Sequence, residues 1–376
     1  MIDKSPHDRH YYPSFSVRLI QALHLDHFLL LGIGLLMLLG LGVLYSAGDQ
    51  SMELLNRQLT RMALALVVML IVAQIPSSTL RFWSPWMYIT GVVLLVLVLV
   101  MGDMGKGAQR WLDVGFIRFQ PSEMMKLVTP MMIAWYFAEK PLPPSARTLI
   151  TATLLILIPT FLIARQPDLG TSLLIFAAGF FVIFLGGLSW RLMAGLGVLV
   201  AALLPVLWHF MHDYQRTRVM TLLDPQLDPL GAGYHIIQSQ IAIGSGGVYG
   251  RGWLNGSQSH LNFLPEQSTD FIFAVFAEEF GLLGGGLLLV LYGFIIIRGL
   301  IVAIQGQDTY ARLLGGSLSL TFFVYLFVNV GMVSGILPVV GVPLPLISYG
   351  GTSMVTLMAG FGMLMSINSH RRLWSK

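Results

Sequence analysis

Cysteine is absent from the 376 residues, so this chain has neither a disulfide framework nor thiol chemistry. Charge is scarce: 11% of residues are Asp, Glu, Lys or Arg, against about 25% in soluble domains. With 55% hydrophobic residues and a mean hydropathy of +0.75, that scarcity excludes a soluble globular class and marks a polytopic membrane protein. No cluster of His, Asp and Glu has metal-ligand spacing, the His-Glu-x-x-His signature is missing, and the dinucleotide and P-loop fingerprints are missing too. The pI of 9.3 suits an anionic membrane surface and gives no reason to invoke nucleic acid.

What is present is a succession of apolar runs. Residues 28–47 carry no charge, and these 20 residues are enough as a helix to cross about 30 Å of hydrocarbon. Similar runs fall near 59–75, 85–101, 122–138, 148–164, 171–187, 191–210, 271–297, 312–333 and 350–368. The expectation is an all-α polytopic membrane fold of about ten transmembrane helices. The runs are continuous rather than alternating, which argues against a β-barrel.

Ten spans put both termini on one side. The Lys and Arg residues then divide 12 to 10, a weak bias. However, Lys4, Arg9, Arg18, Arg371, Arg372 and Lys376 flank the first and last spans closely and argue for cytoplasmic termini. Two long loops, about 102–121 and 211–270, then face outside, the larger one between the seventh and eighth helices. Within it, Tyr234 to Ile243 has apolar residues at helical spacing, as in a short amphipathic helix lying in the interface. The following run from Gly244 to Gly250 reads as a flexible turn. Segment 331–351 holds three prolines and five glycines and cannot be one regular helix. Irregular backbone at membrane depth is tolerated where it lines a cavity, so this segment is expected to wall the outer pocket.

Asp270 stands at the last polar position before some 27 apolar-dominated residues. A carboxylate there meets water and lipid headgroups together, which is where a base is needed if the substrate is lipid-linked. Ionisable residues inside a span are expensive and point to function. Glu123 and Lys126, three apart at the start of the fourth span, share a helix face. They form either a structural lock between helices or a charge pair beside the aspartate. Asp168 lies in a short outer turn, placed either to cap the next helix or to act in chemistry. Glu278 and Glu279 read as structural carboxylates paired with an arginine or polar groups. Arg216 and Arg218 are either a solvated basic loop or a phosphate grip, for which the guanidinium fork is well shaped.

Several ordered motifs carry a family resemblance. They are Lys106-Gly-Ala-Gln-Arg-Trp-Leu-Asp113, Phe119-Gln-Pro-Ser-Glu123-Met-Met-Lys126, Gln166-Pro-Asp-Leu-Gly-Thr171, Asp228-Pro-Leu-Gly-Ala-Gly-Tyr234, Leu264-Pro-Glu266 through Asp270, and Pro343-Leu-Pro-Leu-Ile-Ser-Tyr-Gly-Gly351. Together they resemble the SEDS family (shape, elongation, division and sporulation) over nearly the whole chain, as one membrane domain over 1–376. The block His212-Asp-Tyr-Gln-Arg216, with Thr221-Leu-Leu-Asp-Pro225 and Gly233-Tyr-His-Ile-Ile-Gln238, is closer to the elongation branch than to the division branch.

The resemblance implies a peptidoglycan glycosyltransferase of the bacterial inner membrane that polymerises lipid II into β-1,4 glycan strands on the outer face. It maps the family's essential acidic residue onto Asp270, and its Glu and Lys onto Glu123 and Lys126. Ser268 stands where many members carry histidine, so no histidine base is available there. The resemblance also implies a class B penicillin-binding protein, a transpeptidase, as partner, with other elongation-complex proteins such as MreC and RodZ.

Transfer from a lipid-pyrophosphate donor needs a base for the acceptor hydroxyl and cations for the departing pyrophosphate. Asp270 is the base in this reading. Lys126, Arg216, Arg218, Lys106 and Arg110 are the cation candidates, and a divalent cation is chemically able to share their task. An α-linked donor giving a β-linked strand implies inversion in one displacement. The rival readings are a lipid II flippase, which needs no base at the outer surface, and a non-catalytic scaffold of the wall-synthesis complex.

Overall fold

The structure, a computed structural model, describes residues 25–105, 108–113, 118–211, 213–228, 231–256 and 266–369. Lys106, His212 and the terminal charges Lys4, Arg9, Arg18, Arg371, Arg372 and Lys376 lie outside these residues.

Twelve helices lie among the described residues: α1 His27–Ala47, α2 Met52–Ala73, α3 Ser77–Met101, α4 Pro121–Ala138, α5 Ala146–Ala164, α6 Leu169–Leu185, α7 Trp190–Phe210, α8 Asp213–Leu223, α9 Ala232–Gly246, α10 Ile272–Ile304, α11 Thr309–Val333 and α12 Thr352–Ser369. All but α8 and α9 coincide with the ten apolar runs. Six of them (α1, α2, α3, α5, α10 and α11) are long and apolar enough to cross a membrane; α6 is shorter, α4 and α12 are more polar, and α7 is an apolar helix of 21 residues.

Short polar residues start the helices by accepting a first-turn N–H. Asp26 does so for α1, Ser51 for α2, Ser145 for α5, Asp168 for α6 and Asp308 for α11. Pro121 opens α4, where its missing N–H costs nothing.

The segment 103–119 is not an irregular loop. Strands β1 Asp103–Gly105, β2 Ala108–Asp113 and β3 Arg118–Phe119 form an antiparallel ribbon, with Trp111 opposite Asp103 and Leu112 opposite Phe119. Its polar and glycine content hid three strands too short to show a period.

Helix α11 is the axis of the bundle: 72% of its span window is buried, against 22% for α2. It packs on α10, α6, α4 and α12, while α2 packs on α12 and α3 on α4. At the end of the bundle away from Asp270, Arg298 of α10 makes a fork on Asp26, with bonds of 3.1 and 2.6 Å, and Asn368 of α12 donates to the same carboxylate at 2.8 Å. This ties the starts and ends of three helices together.

Three local expectations change. The run 271–297 is not one continuous helix. At Gly281 the backbone turns to φ 63°, ψ −163°, which breaks α10 into a short first piece and a long second one. The run from Gly244 to Gly250 is not a free turn: α9 continues to Gly246, and the backbone beyond it docks on the break. Leu282 and Leu283 donate to the carbonyls of Gly247 and Val248. A Cβ on Gly246 would collide with the Ala277 carbonyl, and one on Gly250 with that of Glu279, so glycine permits the contact. Finally, α9 packs into the protein rather than lying alone in the interface. Ile236, Ser239 and Ala242 are buried, and Ser239 donates to the Val333 carbonyl at 2.8 Å.

Candidate active site

The Asp270 turn is a built structure. Glu266, at φ 59°, opens it, and its carbonyl accepts from the N–H groups of Thr269 and Phe271. A non-glycine residue in this left-handed region costs about 1–3 kcal/mol, which the surroundings must offset. Three outside contacts do so. Tyr349 donates its N–H to the Ser268 carbonyl at 2.8 Å. Ser348 donates its hydroxyl to the Thr269 carbonyl at 2.6 Å. Asn329, fully buried in α11, donates Nδ2 to the Asp270 carbonyl at 2.9 Å and to the Val342 carbonyl at 2.8 Å.

Segment 334–351 is indeed non-helical and does meet this turn. A Cβ on Gly341 would stand 3.5 Å from Asp270 Oδ2. Tyr292 of α10 holds the segment from the other side by donating to the Pro345 carbonyl at 2.6 Å. The Asp270 side chain is half-buried at the end of α10, neither sealed in the core nor fully in solvent.

Glu123 and Lys126 are brought together as their spacing requires. Nζ lies 2.6 Å from Glu123 Oε1, and both side chains are buried. Lys126 Nζ also stands 5.3 Å from the centroid of the Tyr325 ring, a cation–π contact. Lys126, Tyr325, Thr321 and Thr356 edge a crevice of about 390 Å³, mouth included, whose remaining lining is apolar and includes Phe361 and Leu364. The arrangement is amphipathic: a cation at one end, hydrocarbon along the rest.

The other sequence candidates divide. Asp168 caps α6 through Thr171 N at 3.2 Å and also meets Gln120 at 3.3 Å and Arg110 at 3.8 Å. Arg110 donates in addition to the carbonyls of Gln166 and Pro167, so it clamps that turn. Arg216 donates to the carbonyls of Trp208 and His209 at 3.1 and 2.7 Å, closing the end of α7, and Arg218 stands half-exposed further along α8. Glu278 accepts from Ser245 at 3.3 Å with Arg251 at 3.9 Å, while Glu279 accepts from Ser46 and from Leu254 N. These two carboxylates hold the 245–254 segment onto α10 and α1. Among the described residues, no group of three or more His, Asp or Glu is placed to hold a metal ion.

His235 of α9 stacks on Phe271, with ring centroids 5.4 Å apart and planes 28° from parallel. Burial lowers its pKa below the ordinary value, against the opposing pull of Glu266 and Asp228.

Sequence reasoning missed Asn329, Ser348, Tyr325 and His235 as parts of the site. Asn329 alone left a signal, as the single carboxamide in the 25 residues of α11.

The fold and site define a class: a membrane-spanning helix bundle whose central helix α11 is tied both to a carboxylate turn, through Asn329, and to a buried lysine, through Tyr325. The comparisons narrow that class. The family model for the cell cycle proteins FtsW, RodA and SpoVE matches residues 21–373, so the chain belongs to that family. It is 55% identical over 354 residues to the peptidoglycan glycosyltransferase MrdB of Escherichia coli K12, covering 94% of this chain and 96% of that one. Among solved structures it resembles a chain of a peptidoglycan synthase complex that coordinates polymerization and crosslinking, with TM-score 0.80 and 30% identity over 92% of this chain and 99% of that one. It also resembles the rod shape determining protein RodA of Thermus thermophilus, with TM-score 0.68 and 29% identity over 91% and 96% of the two chains.

Proposed function

We propose that this chain is a peptidoglycan glycosyltransferase that polymerises lipid II, with Asp270 as its general base. The observation that carries the assignment is the Asp270 turn, held by Asn329, Ser348 and Tyr349 at the end of a broken membrane helix. Such interrupted helices are used in membranes where a polar substrate must be met. The likeness to MrdB over 94% of the chain supports the reaction class.

The chemistry is one inverting displacement. Asp270 takes the proton from the 4-hydroxyl of the acceptor GlcNAc. That oxygen forms a bond to C1 of the donor sugar while the bond from C1 to the pyrophosphate oxygen breaks. The lipid pyrophosphate leaves as an anion, stabilised by Lys126, with Lys106 and Arg218 as the further cation candidates; Arg110 and Arg216 already donate to backbone carbonyls. Glycosidases recruit a second carboxyl as acid; pyrophosphate leaves without one.

Ten spans with cytoplasmic termini place the Asp270 turn and the 211–270 segment outside the bacterial inner membrane. The partner in this reading is a class B penicillin-binding protein within an assembly that includes MreC and RodZ. The likeness to a polymerization and crosslinking complex supports the pairing.

Purified protein with labelled lipid II, with and without the transpeptidase, tests the proposal. Glycan strands lost in Asp270→Asn are expected. Transport of lipid II without polymerisation would favour a flippase instead. Single cysteines at positions 4, 257 and 376 test the topology, because the chain has none of its own. An impermeant thiol reagent should label only position 257 in spheroplasts.

A further inference from the structure

Joining two lipid-pyrophosphate carriers requires two anion sites, since donor and acceptor each carry the diphosphate. Lys126 serves one of them. It rests on Tyr325, one helical turn before the Asn329 that holds the Asp270 carbonyl. A second cation stands beside the same turn. Arg61 of α2 has its guanidinium carbon 4.2 Å from the centroid of the Tyr349 ring, and Tyr349 donates its N–H to the Ser268 carbonyl.

Several of the other described cations near this end are committed, while Arg165 lies exposed over the Phe161 ring, on the turn that Arg110 clamps. Arg57 pairs with Glu53, Lys126 with Glu123, and Arg110 and Arg216 donate to carbonyls. Arg61 is half-exposed and has no hydrogen-bond acceptor and no carboxylate among the described residues. The backbone around it is bare. A Cβ on Gly350 would meet nothing within 4 Å, and one on Gly351 would meet only Arg61 itself, at 3.5 Å. An aromatic face therefore holds a permanently charged fork beside open space. That geometry fits bidentate recognition of a phosphate.

We propose that Arg61, seated on Tyr349, binds the diphosphate of the acceptor lipid. The inference rests on the reading of the chain as a lipid II polymerase. The donor's diphosphate leaves from the reacting carbon, so its cation must lie close to the base. The acceptor's diphosphate sits a disaccharide away from the attacking hydroxyl. Lys126 is linked to the Asp270 backbone through adjacent turns of one helix. Arg61 is linked to the turn by a different route, through Tyr349 and the carbonyl of Ser268 two residues before Asp270. A phospholipid headgroup offers the same phosphate chemistry, so the test must separate the two sources.

The full-length protein is placed in phosphatidylcholine nanodiscs in an Asp270→Asn background, where turnover is halted. Native mass spectrometry then counts undecaprenyl pyrophosphate bound per chain. Two are expected, falling to one when Arg61→Gln is added. In the active background, Arg61→Gln should raise KM for lipid II by about 10- to 100-fold, the loss of a charge-assisted contact, with kcat kept at saturation. Arg61→Lys keeps the charge without the fork and should raise KM less, and it decides the matter if the glutamine variant does not fold.

Two lipids bound with or without Arg61, or one bound with it, would overturn the proposal. So would an unchanged KM in both variants, or an effect seen only when phosphatidylglycerol is present. If wild-type protein bound two lipid pyrophosphates yet made no glycan, the polymerase reading would fail and the anion site would stand.

Discussion

Tyr325 and Asn329 stand four residues apart on one face of α11, and each holds one half of the candidate chemistry. The ring of Tyr325 lies under the Lys126 ammonium, and the amide of Asn329 holds the carbonyl of Asp270. Residues at this spacing are stacked one above the other. The most buried span of the bundle therefore fixes the separation of cation and carboxylate, although neither is on that helix. Each helix supplies only part of the site, and packing assembles it.

Asp270→Asn and Asp270→Ala are expected to abolish polymerisation while the protein still inserts. The backbone contacts that shape the turn use the carbonyls of 268, 269 and 270, so the side chain can change without dismantling it. Loss of a general base costs about 10²–10⁴-fold in rate. Glycan synthesis by Asp270→Asn at near wild-type rate would remove the assignment.

Asn329→Ala removes the donor that bridges Asp270 and Val342. The buried Val342 carbonyl loses its partner, at about 1–3 kcal/mol, and the half-buried Asp270 carbonyl loses its own at less. A lower melting point and a fall in kcat larger than any change in KM are expected, because the turn moves while substrate contacts elsewhere remain. A variant with lowered melting point and unaltered kcat would show that Asn329 only stabilises the fold.

For Glu123 and Lys126, the single variants should be worse folded than the double. Removing one partner of a buried pair costs about 3–5 kcal/mol because the other charge is stranded. Glu123→Gln with Lys126→Met leaves no stranded charge and should recover most of the melting temperature. Activity should stay lost wherever Lys126 is lost, which separates the catalytic role from the structural one. Recovery of both in the double variant would leave the pair as a lock between helices.

The pairing of Glu123 with Lys126 was legible from spacing alone, as were the cap at Asp168 and the apolar runs that became helices. Periodicity is a local property, and these features are local. The break at Gly281 was not legible, because glycine-rich apolar sequence reads as continuous helix until another backbone docks on it. Nor was the use of Arg110 and Arg216 to clamp backbone carbonyls, since a cation near the outer surface reads the same whether it meets a carbonyl or a phosphate. Asp270 could be picked out because it sits where polarity changes. Its supports come from α11 and from 348–349, more than 50 residues away in sequence, and no local pattern carries that.

His235 gives the α9 contact a pH dependence. Its folded pKa is lowered from the ordinary 6.5, first by burial, with Glu266 and Asp228 opposing. The folded state thus prefers the neutral ring stacked on Phe271. Its contribution is present above 6.5 and is lost as pH falls from there through the lowered folded value. The melting temperature of wild-type protein should therefore fall between neutral pH and about pH 5. His235→Phe, which keeps the stack without the titration, should flatten that part of the curve. An identical slope in both proteins would place the acid sensitivity elsewhere.

Gly281→Ala tests whether the break in α10 is needed. At φ 63°, ψ −163° an alanine enters a region essentially reserved for glycine, at about 1–3 kcal/mol, and its Cβ would also collide with the backbone N of Gly250. The residue has two escapes. It can straighten α10 into one helix, or it can expel the 247–250 segment. Either releases Arg251 and Gly252 from the carbonyls of Glu278 and Glu279 and unseats the short helix that begins just after Asp270. The expected result is faster proteolysis within 245–256 and reduced glycan synthesis, with helix content by circular dichroism unchanged or slightly raised. Gly286→Ala is the control on the same helix, because a Cβ there meets nothing within 4 Å and the backbone is helical. If both alanine variants kept full activity and protease resistance, the docked glycine segment would have no part in holding the Asp270 turn.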